Sequence, residues 1–195
     1  MNGEAKDDSE VMLQFKGGDQ AAFELLFDKY HRQIINFNYR LLGNLADAEE
    51  IAQEAFLQVY RSAGNYQPLA KFSTWLYTIA KNRCLNCIRD KHPERLYDIE
   101  SEDSESHVLE ETIPSETPSP EEELSEKELS KIIEQAVSQL PSSLRMPFVL
   151  NRYQEQSYEE IAHILEISVT AVTIRIHRAI KILTKKLAPY IKLEK

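Results

Sequence analysis

Hydrophobic positions along this chain recur at steps of three and four, the spacing that lines up one face of an α-helix. Phe23, Leu26, Phe27, Tyr30, Ile34, Phe37 and Leu41 follow it from Ala21 to Leu42, where Gly43-Asn44 stops the run. A weaker segment from Glu10 to Lys16 precedes it and is broken by Gly17-Gly18. A third helix is predicted from about Ala46 to Ser62, with Ile51, Ala55 and Val59 inward and Asp47, Glu50 and Glu54 outward. Gly64 to Ala70 holds Gly, Asn and Pro and reads as a loop. Ser73 offers a cap for a fourth helix running through Trp75, Leu76, Ile79 and Ala80 to about Asp90.

The same period returns near the C-terminus in a tighter form. Ser157 with Glu160 three residues later is a capping box, so a short helix starts at Tyr158 with Ile161, Ala162 and Leu165 on its apolar face. Ser168 caps a longer helix in which Val172, Ile176, Ala179, Leu183 and Leu187 form the inner stripe. Two helices with so short a joint predict a helix-turn-helix, whose second helix reads DNA. At about 100° per residue, the opposite side carries Thr170, Ile174, His177, Arg178, Lys181 and Lys185, flanked by Thr173 and Arg175. Val169 to Lys186 holds five Lys or Arg and no acid. Cations there suit phosphates, and Thr170, Thr173 and Arg175 suit base edges. A charged helix facing water is the plainer alternative, for which Ile174 is an odd choice.

With only five Gly and few strand-like alternations in 195 residues, the fold class expected is all-α, and 42% apolar content suffices for modest cores. The polar, acidic start from Met1 to Glu10 is unlike a signal peptide, and no apolar run reaches membrane-spanning length, so a cytoplasmic protein is expected, without membrane insertion.

A net charge of −9 is unpromising for a DNA binder until the chain is divided. Residues 93–128 carry −12, residues 129–195 carry +4 and residues 1–92 carry −1. The acid is gathered in one segment. Pro93 to Glu123 adds Pro114, Pro118, Pro120 and many Ser, a composition that buries too little to offset its ordering entropy. It is expected to be a disordered or extended linker between two helical domains. It is either a solvated tether or an imitation of a nucleic-acid backbone inside a partner's basic channel.

Lys71 to Arg89 holds four basic residues (Lys71, Lys81, Arg83, Arg89) and no acid, interleaved with Phe72, Trp75 and Tyr77. Aromatics beside cations hold single-stranded nucleic acid by stacking, although Phe72 and Trp75 also suit a core. Cys84 and Cys87 form one Cys-x-x-Cys on a helical pattern, with neither a second pair for zinc nor a preceding strand for redox work. They read as reduced thiols. Glu160-x-x-His163 has di-iron spacing, but its nearest counterpart, Asp28-x-x-His31, carries the wrong acid. No catalytic residue, cofactor or metal is expected.

Four stretches together resemble the extracytoplasmic-function sigma factors of bacterial RNA polymerase: Asp47-Ala-Glu-Glu-Ile-Ala-Gln-Glu-Ala-Phe-Leu, Lys71-Phe-Ser-Thr-Trp-Leu-Tyr-Thr-Ile-Ala-Lys-Asn-Arg, Ser157-Tyr-Glu-Glu-Ile-Ala and Ile176-His-Arg-Ala. Their order and spacing match from about residue 18 to 188. The resemblance implies an N-terminal segment (1–17), sigma region 2 (18–92), an acidic linker (93–127) and sigma region 4 (128–190). It implies that Asp47, Glu50, Gln53, Glu54 and Phe56 dock on the β′ clamp helices of the polymerase, whose β flap is a further contact. It assigns the loop at Tyr66 to a base flipped from the −10 element. Lys71, Phe72, Ser73, Trp75, Lys81, Asn82 and Arg83 fall in the melting segment. Ser168, Thr170, Thr173, Ile174, Arg175, His177, Arg178 and Lys181 fall to the −35 element, and the linker to the polymerase cleft. An anti-sigma factor is the further partner implied. Relatives often have Gly where Glu166 stands, Lys and Ser where Thr173 and Ile174 stand, and Asp at Asn86. A helix-turn-helix regulator acting without polymerase is the alternative, and it leaves the acidic third helix and the Lys71–Arg89 stretch unexplained.

Overall fold

The computed structural model describes residues 7–91 and 126–190. Among these residues there are eight α-helices, one short 3-10 turn and no strand. The first group comprises α1 (Asp8–Lys16), α2 (Gln20–Leu42), α3 (Leu45–Ser62), the 3-10 turn (Ala63–Asn65) and α4 (Phe72–Lys91). The second comprises α5 (Glu126–Ser138), α6 (Ser142–Gln154), α7 (Tyr158–Leu165) and α8 (Val169–Leu187). The expected acidic linker lies almost wholly outside the described residues, and α5 begins just inside its expected end.

Local chemistry sets the boundaries in the first group. The Asp19 carboxylate accepts from the Ala21 N–H at 3.1 Å and starts α2. Gly43 ends it at φ 76°, a left-handed conformation that costs glycine little, and Asn44 then caps α3. Helix α4 begins at Phe72, not at a Ser73 cap: the Lys71 carbonyl already accepts from the Trp75 N–H at 3.2 Å. Ser73 therefore sits inside the first turn.

The stripe predicted for α2 is buried as expected, with Leu26, Tyr30, Ile34, Phe37 and Leu41 against Ile51, Ala55, Phe56 and Val59 of α3 and Phe72, Leu76 and Tyr77 of α4. Helix α1, weak by pattern, is held by Met12 and Phe15 in that core and by Asp8, which accepts from the Tyr30 hydroxyl and from Lys29. Burial, and then Asp8, push the Tyr30 hydroxyl pKa well up. Buried Asn38 donates to the Ala48 carbonyl at 3.1 Å and accepts from the Cys84 thiol at 3.2 Å. Burial pushes that thiol's pKa up, so Cys84 is an inert core residue.

In the second group Val149, Leu150, Ile161, Ile164, Val172, Ile176 and Ala179 close a smaller core. Ile164 is the deeper residue near the end of α7, and Leu165 is only half-buried. Helices α5 and α6 support the helix-turn-helix from behind, both packing on α8. The two groups touch directly, α2 against α6 and α4 against α7.

Candidate polymerase and promoter interfaces

Helix α3 displays the first site. Glu50, Gln53, Leu57 and Tyr60 are exposed and lie along one side at helical spacing, with Leu57 52% and Tyr60 48% exposed. The sequence reading found the polar members of this stripe and missed Leu57 and Tyr60, which the inward pattern left unassigned. Asp47 and Glu54 stand beside it, tied to α4 by Lys91 and by Arg83 at 3.3 Å. The hydrogen bond to Asp47 raises the Lys91 pKa. Arg83 also donates to Gln58 at 3.2 Å, so this cation of the expected melting segment belongs equally to the α3 face. Phe56 does not face outward: it is 3% exposed and packs edge-on to Phe27 with ring centroids 4.9 Å apart. It sets the spacing of α2 and α3 and thereby the shape of the stripe.

The second site is the 3-10 turn, its loop and the start of α4. Tyr66 is buried, with its ring centroid 4.9 Å from Trp75 and 6.4 Å from Phe72. Its backbone carbonyl accepts from Lys16 Nζ at 2.8 Å, which fixes the loop to α1. The phenol is thus a wall of the loop, while Asn65, Gln67, Pro68 and Leu69 are among its exposed residues, Leu69 by 87%. Phe72 belongs to the core, and Ser73 and Trp75 are half-buried. Asn82 is exposed, whereas the Lys81 side chain is only 8% exposed.

What covers Lys81 is the helix-turn-helix. Lys81 Nζ lies 3.2 Å from Glu166 at the α7–α8 joint, and Lys71 Nζ lies 2.7 Å from Glu160 in the first turn of α7. Burial alone would raise the Glu160 carboxyl, but hydrogen bonds from Lys71 and from the Ser157 N–H outweigh it and hold the pKa below the usual range. Lys71 is raised in return, chiefly by the hydrogen bond to Glu160.

The third site is α8. The capping box at Ser157 and Glu160 is formed, and Ser168 caps α8 by accepting from the Ala171 N–H at 3.1 Å. Glu166 turns the chain between them at φ 58°, left-handed and costly for a residue with a Cβ. Thr170, Ile174, His177, Arg178 and Lys181 are exposed, with Arg175 half-buried at the edge. The Thr173 hydroxyl donates to the Val169 carbonyl at 2.9 Å, so a base edge would compete with its own helix. Among the described residues no group of three or more His, Cys, Asp and Glu is placed to hold a metal ion, and Glu160 is taken up by Ser157 and Lys71. Among the same residues no helix is long and apolar enough to cross a membrane.

Comparison with known proteins gives this geometry its context. Residues 26–93 match the Sigma-70 region 2 family and residues 130–183 the Sigma-70 region 4 family. The chain is 40% identical to the extracytoplasmic-function RNA polymerase sigma factor SigW of Bacillus subtilis, over 89% of this chain and 93% of that one. It is 33% identical to the RNA polymerase sigma-H factor of Pseudomonas aeruginosa, over 96% and 97%. The fold is shared with CnrH, solved with the cytosolic domain of CnrY, at a TM-score of 0.69 and 21% identity over 94% of this chain and 98% of that one. RpoE of Bartonella quintana, solved with the anti-sigma factor NepR, gives 0.63 at 19% identity over 85% and 96%. With both family regions present in order and such identity over nearly its whole length, this chain belongs to the extracytoplasmic-function sigma factors of bacterial RNA polymerase.

Proposed function

We propose that this sigma factor divides its work among the three sites. The stripe of Glu50, Gln53, Leu57 and Tyr60, with Asp47 and Glu54 at its edge, docks on the β′ clamp helices. The loop at Tyr66 and the first turns of α4 receive the unstacked −10 strand. Helix α8 lies in the major groove of the −35 element, with the β flap beneath region 4. The boundaries follow: region 2 is residues 18–92 and region 4 is residues 128–190, with residues 1–17 before and 93–127 between. The protein acts in the cytoplasm, and an anti-sigma factor holds it by covering these faces, as NepR partners the sigma factor of Bartonella quintana.

The family makes the chain an initiation factor and not an enzyme: it binds core RNA polymerase and directs it to promoters. Its task is an exchange of contacts. A base leaving the duplex stack loses a few kcal/mol, and the protein must return this by stacking and by cations on the phosphates. Each DNA face is small. Together they suffice when the polymerase holds them at a fixed separation, because the second contact is then intramolecular.

The observation that carries this reading is the segregation of chemistry. Acid and apolar residues share the exposed side of α3, while α8 carries cations and no acid from Val169 to Lys186. The experiment is capture on core RNA polymerase. Glu50→Lys combined with Leu57→Ala should abolish capture and leave the helical circular dichroism intact. Undiminished capture by this variant removes α3 from the interface.

A further inference from the structure

Helix α1 precedes the stretch that matches Sigma-70 region 2, residues 26–93, and the resemblance of motifs gives it no task. One of its side chains nevertheless reaches the loop proposed to receive the −10 strand. Lys16 Nζ donates to the Tyr66 carbonyl at 2.8 Å, across 50 positions of sequence. The loop's own backbone hydrogen bonds are short-range: the Tyr66 N–H meets the Ala63 carbonyl at 3.1 Å, and the Leu69 N–H meets the Gln67 carbonyl at 2.8 Å. Among the described residues, Lys16 supplies the one hydrogen bond that ties the backbone of residues 66–70 to a distant part of the chain. A cation in the last turn of a helix also suits the helix dipole, the plainer reason for a lysine there. That reason does not explain an ammonium turned to a carbonyl outside its own helix. Nor does α1 need the bond for its own attachment, since Met12 and Phe15 lie in the core and Asp8 is held by Tyr30 and Lys29. The part that gains is the loop.

We propose that Lys16 is a positioning residue for −10 recognition: its bond to the Tyr66 carbonyl holds the loop in the shape that receives one unstacked base, so α1 sets how strictly that base is chosen. The inference rests on the assignment of this loop to the −10 strand. The Tyr66 carbonyl and the Gln67 N–H belong to one planar trans peptide unit and point opposite ways. Fixing the carbonyl toward α1 therefore aims the Gln67 N–H away from it, and that N–H makes no hydrogen bond among the described residues. A donor so aimed suits an acceptor on a base. A site discriminates only while its parts stay in place, and an ammonium-to-carbonyl bond is stronger than a neutral one. Lys16 touches no base in this arrangement; it acts through the Tyr66–Gln67 peptide.

The test uses the full chain assembled with core RNA polymerase, on a promoter that this holoenzyme transcribes. A photoreactive base at each −10 position of the non-template strand shows which one crosslinks to residues 65–69. Run-off transcription with each −10 base pair replaced in turn then reads preference for the parent, Lys16→Met and Lys16→Arg. Lys16 is exposed, so Lys16→Met, which keeps the apolar stem, should leave the helical circular dichroism and capture on core unchanged. Preference at the crosslinked position should fall about tenfold if the untied loop holds its receiving shape one time in ten. Preference at the −35 element should not move, and Lys16→Arg, a charged donor again, should restore the parent's pattern. Unaltered preference in Lys16→Met, or activity lost equally on every promoter variant, overturns the positioning role while the crosslink keeps the loop on the −10 strand. No crosslink to the loop at any −10 position overturns that assignment and the proposal with it.

Discussion

Arg175 and Lys181 both belong to the basic side of α8, yet their surroundings differ, and the proposed reading predicts different effects from their loss. Arg175 is half-buried at the edge of the face, where its planar fork can reach a base, and Lys181 stands free in solvent. Arg175→Ala should weaken binding to the −35 element by about 1–3 kcal/mol and relax preference at one base position, measured by competition with altered promoters. Lys181→Ala should weaken all sequences alike and reduce the slope of log affinity against log salt by about 1. The pair of Lys71 and Glu160 yields a pH prediction. The Glu160 carboxyl lies below the ordinary 4.5, so its contribution is full above 4.5 and is lost as pH falls through the lowered value. Lys71 is raised above 10.5, so its part persists through neutral pH and fails only in strong alkali. The parent should therefore be more resistant to urea than Lys71→Gln at neutral pH, and the difference should vanish in acid. At this scale the sequence showed which residues carry charge but not which are covered. Tyr66 and Phe56 match functional positions by motif, and their burial appears only when α2, α3 and α4 are brought together.

Among the elements, those with signals inside a few neighbouring residues were legible in advance. The capping box of α7, the Ser168 cap of α8 and the stripe of α2 are all found where the pattern puts them. Ser168→Ala should cost about 1 kcal/mol of stability, read as a lower urea midpoint with an unchanged slope. Helices α5 and α6 carry weaker local signals. Pro147 inside α6 interrupts the usual reading, and α5 follows so acidic a segment that its Ile133, Ala136 and Val137 attract little notice. The packing of α4 on α7 had no local signal at all, since its partners are some 85 positions apart in the chain. Long-range ion pairs of this kind become visible only in three dimensions.

At the scale of the whole molecule, division of charge explains how a chain of net −9 serves as a DNA-binding subunit. The acid concentrated in residues 93–128 leaves region 4 with a net positive charge. A free-standing helix-turn-helix regulator would use α8 but would have no need of the exposed acidic and apolar stripe on α3. The two accounts part company over the polymerase. The decisive measurement is run-off transcription by purified core RNA polymerase on a library of genomic promoters, with and without this protein. New transcripts from a restricted set of start sites, dependent on the added chain and lost with Glu50→Lys and Leu57→Ala together, are the expected result. No assembly with core, or no initiation beyond what core does alone, would contradict the account.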